Sequence, residues 1–449
     1  MFFSCAQTVI SPSDLFMLKY LYPFAGLILF LTVSFSQFAG AQGVLRAEKR
    51  VFLAPEEGGI SPDFIPKGLV YKGFTYFPTL RIAQAYNSNV YAEADGGQDD
   101  FILRVSPSIK ILKNYGGLNL SATGQIKAER YQRFTDEGKE DISLNLSGDY
   151  VLNSRWAIPF SIDYSSFTLR RGDPLSQKAT SEPLTYTQKT AALGLSRRFN
   201  RLKLSLQGQV EETLYNDGTA LLSGAPVIYR DNDRRGYSGR LGLRYDLGLG
   251  EGGDAEHILF ANLDYKTSKY LRRDYSNGSF SGILRNNTEF GGFLGFETSH
   301  KNRLFANIGI GYFKNEYDDS RLTGLADIDF GAEIEYEFTP KWRLGGAFER
   351  EISQDNDIVQ GEVETQMRLF TSYEIYSRLF VNGAYEFTER EYGQDRQTDN
   401  ESEYKIGALY VLNRNWRMDM QASTIRFESG APNESYDANV YTFSFVGKL

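Results

Sequence analysis

Asp327-Ile-Asp-Phe-Gly-Ala-Glu-Ile-Glu-Tyr-Glu-Phe338 alternates without a break. Asp327, Asp329, Gly331, Glu333, Glu335 and Glu337 share one parity, while Ile328, Phe330, Ala332, Ile334, Tyr336 and Phe338 share the other. Successive side chains of a strand leave on opposite faces, so this stretch has a carboxylate face and a greasy face. The same unit of strand and turn recurs about 18 times between Gly73 and Leu449, from a first strand at 73–86 to a last at 436–449. A soluble sandwich would hide its greasy faces in a core. Eighteen such strands in series predict an all-β, transmembrane, antiparallel up-and-down barrel whose greasy face meets lipid.

The connections sort by strand number. Tight turns follow the even strands, as at Asn153-Ser154, Phe199-Asn200-Arg201, Thr339-Pro340 and Asn413-Arg414, with a longer Gly-rich one at 249–254. Polar stretches such as 170–185, 217–233, 272–285 and 392–400 follow the odd strands. Outer-membrane barrels have short periplasmic turns and long extracellular loops, so the pattern predicts that location with both termini periplasmic. Trp156, Trp342 and Trp416 each stand just past a short turn. Tyr150-Val-Leu-Asn-Ser-Arg-Trp156 and Tyr410-Val-Leu-Asn-Arg-Asn-Trp416 nearly repeat one another. Amphipathic rings settle at the headgroup level, which marks these three as an interface girdle. Tyr441, Phe443, Phe445, Gly447 and Leu449 share the outward parity, the pattern of a last strand read by barrel assembly machinery, though Leu449 stands where Phe is usual.

Composition agrees. Aromatics are 14% of 449 residues, with 29 Tyr, 32 Phe and only 13 Pro, which favours β-structure over disorder. The formal charge of −8 argues against nucleic acid as a partner. Residues 1–41 read as an N-terminal extension and a cleaved signal: Lys19, the apolar run Leu21–Phe35, then Ala39-Gly40-Ala41, with Met17 an alternative start. A core of about 15 residues is short for a membrane helix. The sole cysteine, Cys5, precedes that run, so the mature chain would hold no thiol. Residues 42–72 form a short periplasmic or lumen-entering segment, too short for a folded plug, and 73–449 the barrel.

The parity facing away from lipid lines a lumen, and about 18 strands leave an aqueous space there. Its acidic wall would be Asp327, Asp329, Glu333, Glu335, Glu337, Glu349, Glu351, Glu362 and Glu364, relieved by Arg343 and Arg368. Arg104, Lys110 and Lys127 face it from the far side, with Arg240 and Arg244 between. Low-dielectric walls focus such a field, which filters polar solutes; the plainer expectation is a solvated lumen with locally neutralised charges. Inward aromatics, Phe260, Phe293, Phe305, Phe313, Phe370 and Phe380, suit a track for sugar rings or else support an infolded loop. Loop stretches such as Asp95–Asp100, Asp231-Asn-Asp233 and Asp355-Asn-Asp357 are rich in cation-ligand types, yet none has full calcium-site spacing.

No catalysis is expected. His257 and His300, the only histidines, fall at short turns, away from any Ser/His pair near the long loops. Carboxylates in a wet channel are little perturbed, and His/Cys metal clusters are absent from the sequence, so no cofactor or metal is expected.

Phe77-Pro-Thr-Leu-Arg-Ile-Ala-Gln-Ala-Tyr-Asn-Ser-Asn-Val-Tyr91, followed by Asp99-Asp-Phe-Ile-Leu-Arg-Val-Ser-Pro-Ser-Ile109, resembles the opening of the putative β-barrel porin 2 family. Members often open with a strand ending in a Tyr/Asp-Asn element and continue with an Asp-x-x-x-x-x-x-Pro strand. The resemblance covers residues 70 to 449 and implies no catalytic residue. It implies an outer-membrane channel of the kind often associated with exopolysaccharide or capsule export. The expected partners are therefore outer-membrane lipid and lipopolysaccharide, barrel assembly machinery, a polysaccharide substrate and periplasmic export partners. A general or selective diffusion porin is the alternative, and a structural or adhesive surface barrel a third.

Overall fold

The computed structural model describes residues 64–169, 171, 180–220, 223–248, 255–273, 282–301, 303–353, 362–392, 397–430 and 434–449. The expected signal at 1–41, the loop stretch 355–357 and the side chain of Glu362 lie outside what it describes.

Eighteen strands close into one antiparallel barrel. In chain order they are β1 Phe74–Asn87, β2 Asp100–Tyr115, β3 Leu118–Tyr131, β4 Lys139–Val151, β5 Trp156–Thr168 and β6 Thr185–Phe199. There follow β7 Leu202–Tyr215, β8 Arg234–Asp246, β9 Ala255–Tyr270, β10 Asn287–His300, β11 Leu304–Tyr317 and β12 Leu325–Thr339. The last six are β13 Trp342–Ser353, β14 Glu362–Tyr376, β15 Leu379–Tyr392, β16 Gln397–Asn413, β17 Trp416–Ser429 and β18 Tyr436–Lys448. Each strand pairs with its chain neighbour, and β1 meets β18 from Thr79 opposite Lys448 to Asn87 opposite Val440. Closure leaves no long edge exposed to lipid, where an unpaired backbone group is costly.

The alternation that predicts β12 decides its orientation. Ile328, Ile334, Tyr336 and Phe338 are exposed on the outer face, whereas Glu333 on the other parity is buried. The outward face continues around the barrel through Leu80, Leu103, Ile162, Leu193, Leu206, Leu263, Leu294, Ile310 and Ile406, all exposed. An apolar band of that extent needs a hydrocarbon solvent.

Tight turns close one rim and longer loops the other. Asn200 takes a positive φ of 53°, and Gly116 and Gly117 have φ of 56° and 84°, conformations that two-residue connections demand. The repeated Leu-Asn-x-x-Trp has a local cause. Asn153 Oδ1 accepts the N–H groups of Arg155 and Trp156 at 2.9 and 3.1 Å, and Asn413 Oδ1 those of Asn415 and Trp416 at the same two distances. Each is an Asx turn that aims the following indole outward at the rim. Near this rim the pairing register shifts within β12, β14 and β16, as at a β-bulge.

Strand ends depart from the sequence-based boundaries where polar residues continue the ladder. β16 begins at Gln397, whereas alternation predicts a start at 401. Thr398-Asp399-Asn400 lies above the apolar band, where no lipid imposes a pattern. Small pairings outside the barrel wall include Leu69–Tyr71, which folds back on Phe74–Tyr76, Gly218-Thr219, which pairs with Pro226-Val227 inside the loop after β7, and a single bridge from Thr180 to Ala220.

Candidate lumen and its charged wall

The inward parity carries ion pairs between strands one or two apart. Arg81 of β1 donates to Asp419 Oδ2 of β17 at 2.6 Å and to Ser444 Oγ at 3.2 Å. Arg104 Nε lies 3.0 Å from Glu129 Oε1. Arg240 binds Asp264, and Arg244 Nη2 reaches both oxygens of Glu297 at 3.0 Å. Arg390 reaches Glu364 at 3.0 Å and Glu401 at 3.6 Å, and Lys405 sits between Glu386 at 2.8 Å and Glu403 at 2.9 Å. Some pairs join adjacent strands, about 4.8 Å apart, while Arg81 with Asp419 and Arg244 with Glu297 reach across the strand between them. Close opposite charges cancel locally, so most of the wall offers hydrogen-bonding atoms without net charge.

The expected acidic wall is therefore uneven. Asp327 is held by Arg350 at 2.9 Å, Glu335 lies 3.6 Å from Arg343, and Glu364 is taken by Arg390. Glu333, Glu349 and Glu351 are also engaged. Asp329 and Glu337 have no ion-pair partner among the described residues. Opposite, Arg104, Arg240 and Arg244 are consumed by carboxylates, which leaves Lys110 and Lys127 without an ion-pair partner among the described residues. Of the charges expected to face one another across the lumen, these two lysines with Asp329 and Glu337 are the ones without an ion pair among the described residues.

The inward phenylalanines do not form an accessible track. Phe260, Phe293, Phe370 and Phe380 are all buried. Phe260 stands opposite Gly295, Phe293 opposite Gly311, and Phe370 opposite Gly345. A Cβ built on Gly295 would meet the Phe260 ring at 2.2 Å, one on Gly309 the Phe293 ring at 2.0 Å, and one on Gly345 the Phe370 ring at 2.1 Å. Each ring lies flat over a cross-strand glycine and shields its bare backbone, the arrangement called aromatic rescue. Phe313 covers Gly291 in the same way, and Phe305 is half-buried near the short-turn rim.

Phe380 is covered from a different direction. It packs with Leu409 and Val411, both inward-facing and buried, and Phe64 of the N-terminal segment sits on this cluster. Arg378 stacks over the Phe64 ring at 4.9 Å. The chain ahead of β1 thus reaches into the barrel mouth at the short-turn rim. Alternation gave no sign of this contact, although two large aliphatic side chains on the inward parity of β16 are the signal that something apolar covers them.

The described part of the long-loop rim is folded, not merely solvated. Arg171 and Glu137 are both buried; Arg171 Nε and Nη2 reach Glu137 at 2.5 to 3.2 Å, and its Nη1 donates to the carbonyl and hydroxyl of Thr180 at 2.7 and 2.9 Å. Leu184, Tyr215 and Tyr229 pack beside this latch, and Ala92, Phe427, Tyr436 and Ala438 form a second cluster. The loop acids serve the backbone. Asp100 accepts the N–H groups of Phe101, Arg133 and Phe134, Asp217 those of Tyr229 and Arg230, and Asp233 that of Tyr215. A hydrogen bond from Arg133 holds the Asp99 carboxyl below its ordinary range, and one from Arg321 brings Asp319 down to about 2. Burial pushes Asp233 upward despite its backbone bond. Of the histidines, His257 Nδ1 pairs with the Thr298 hydroxyl at 2.8 Å.

Trp156, Trp342 and Trp416 all lie at the short-turn rim. Trp342 Nε1 donates to Thr371 Oγ1 at 3.0 Å, and Trp416 lies on Gly447 beside Phe445, ring centres 4.9 Å apart. Arg197 sits 4.8 Å over the Trp156 ring.

Residues 61–448 match the model of the family described as Putative beta-barrel porin 2. The chain belongs to that family. Family and closed barrel together support an outer-membrane β-barrel of the porin type, acting in transport. No curated protein matches the chain. Among solved structures it is similar to the siderophore receptor PirA from Pseudomonas aeruginosa, at 9% identity and TM-score 0.41, covering 83% of this chain and 80% of that one. It is also similar to the FrpB iron transporter from Neisseria meningitidis (F5-1 variant), at 14% identity and TM-score 0.47, covering 82% of this chain and 65% of that one.

Proposed function

We propose that this porin-family barrel is an outer-membrane conduit for export of an extracellular or capsular polysaccharide. In this reading the short turns and both termini face the periplasm, and the folded loops face outward. The observation that carries it is the lumen wall, where cations and carboxylates neutralise one another within bonding distance. Such a surface binds a small ion weakly, yet offers a hydroxyl-rich chain many donors and acceptors. The export association implied by the resemblance of the first two strands agrees with it. Phe64, seated at the short-turn mouth, sits where material from the periplasm would enter.

The test joins two measurements. Purified barrel in a planar bilayer should give step conductance, and deletion of the gene should strip surface polysaccharide while cell-wall integrity holds. Absence of conductance would remove every channel reading. Conductance together with unchanged surface polysaccharide would make the protein a diffusion porin. A structural or adhesive role would show as lost surface attachment without conductance.

A further inference from the structure

A cavity of about 260 Å³ lies inside the long-loop end of the barrel, between β1–β4 and β16–β18, bordered on the loop side by Leu169, Arg171 and Pro183. Its charged lining is balanced: Arg104, Lys139 and Arg171 against Glu129, Glu137 and Glu403. These groups already hold one another or a near neighbour. Glu129 lies 3.0 Å from Arg104 and 3.6 Å from Lys139, Arg171 clasps Glu137, and Glu403 is 2.9 Å from Lys405. No excess of either sign is left to select an ion.

The opposite side of the cavity is different. Gln421, Ser423 and Thr442 line it from β17 and β18, and none of the three side chains has a hydrogen bond among the described residues. Ser423 is only 7% exposed, so its hydroxyl has little but the cavity to face. A buried hydroxyl or amide without a partner costs free energy unless water or a ligand completes it. Tyr436, Ile425 and Ala438 add an apolar patch beside these groups. Balanced ion pairs, open amide and hydroxyl groups and one apolar face suit a ligand that is neutral, rich in hydroxyls and greasy on its ring plane. The volume falls under the ~300–1,000 Å³ of sites for drug-sized ligands, which fits one ring and not a chain.

We propose that this cavity is a binding site for a single neutral sugar ring, with Gln421, Ser423 and Thr442 taking its hydroxyls. The assignment to a transported glycan rests on the conduit reading; the cavity and its chemistry do not. At such a site the glycan would pause one residue at a time beneath the loop latch.

The test uses the full barrel purified in detergent, with saturation-transfer NMR and methyl glucoside and N-acetylglucosamine as neutral probes. Glucuronate and glucosamine are the charged comparisons. Saturable binding of a neutral probe is expected, at least tenfold tighter than either charged one. Ser423→Leu should weaken it at least tenfold, and Gln421→Glu, close in size, should shift preference toward glucosamine. No saturable binding of either neutral probe, tighter binding of glucuronate, or affinity unchanged in both variants would overturn the site. Melting and heat-modifiable gel mobility equal to wild type separate lost binding from lost fold, and Thr442→Val serves if Ser423→Leu does not assemble. Step conductance measured on the same preparation keeps the two readings apart. Lost sugar binding with conductance intact strikes the site alone, and sugar binding with no conductance strikes the conduit alone.

Discussion

Removing the Glu137 carboxylate would open the long-loop end without unfolding the barrel. Glu137→Ala leaves the Arg171 guanidinium buried with the Thr180 carbonyl and hydroxyl but no counter-charge. Removing one partner of a buried pair costs ~3–5 kcal/mol, because the survivor is desolvated and unpaired. The cavity beside Arg171 admits water, which favours the lower end, about 3 kcal/mol. That energy falls on a local opening, since the strand ladders beneath do not depend on it. The reporters are the loop amides that bond only while the latch is shut: Leu169 N–H to Leu184 O at 2.8 Å and Ser181 N–H to Thr219 O at 2.8 Å. At ~1.4 kcal/mol per tenfold, exchange at these amides should quicken by about a hundredfold. Hydrogen exchange followed by mass spectrometry reads it, with peptides from β9–β12 as unchanged controls. The double variant Glu137→Leu with Arg171→Met fills the volume without charge and should return most of the protection. A rise under about threefold in Glu137→Ala, or a double variant as open as the single one, would refute a latch and leave the pair as incidental packing.

Other consequences follow from the wall and the mouth. Gly295→Ala drives a methyl into the Phe260 ring, and overpacking of this kind costs ~1–3 kcal/mol; urea unfolding of the vesicle-inserted barrel should show it, and Phe260→Leu in the same chain should recover most of it. Lys110→Glu with Lys127→Glu should move the reversal potential toward cations by a permeability change of about twofold to tenfold, and Asp329→Asn with Glu337→Gln the other way. Glu364→Gln, which removes a paired charge, should move it less, and equal shifts for paired and unpaired acids would discard the residual field. A cysteine at Leu409, fully buried in the structure, should resist a maleimide while Phe64 is present and react in Phe64→Ala; identical labelling would show that Phe64 does not cover the mouth. Asp319 has its carboxyl depressed to about 2 by Arg321, so its contribution to loop order is complete above the unfolded value near 3.8 and lost as pH falls toward 2. A carboxyl carbon shift titrating instead near 3.8 would show the pair is not formed.

How much of this was legible in the sequence follows from which solvent each face meets. Lipid admits no polar side chain cheaply, so Ile328, Ile334, Tyr336 and Phe338 had to share one parity, and the strand count and alternating loop lengths came with them. Above the lipid slab that constraint ends, and Thr398-Asp399-Asn400 gives no sign that β16 already runs there. The loops meet water, so nothing periodic announces that Glu137 and Arg171, 34 residues apart, are buried together. A run such as Asp231-Asn-Asp233 reads equally as solvated surface, cation ligand or backbone cap. Only the neighbouring loop's free N–H groups decide between them.

The lumen is the instructive intermediate. Parity told which side chains point inward, and it placed Asp327 to Glu337, Lys110 and Lys127 there together. It could not tell which charges cancel, because that depends on register between strands, and a shift of a few residues along either strand exchanges every partner. Short turns, the irregular pairings in β12, β14 and β16, and the flat seating of Phe260, Phe293 and Phe370 on glycines pin that register. The glycines are therefore part of the charge pattern, although they carry none. Replacing Gly295 or Gly309 would displace a ring and strain the β9–β11 ladder that keeps Arg244 against Glu297 and Glu297 beside Asn307. A wall of balanced groups can thus be unbalanced by a methyl group placed on a residue that carries no charge itself.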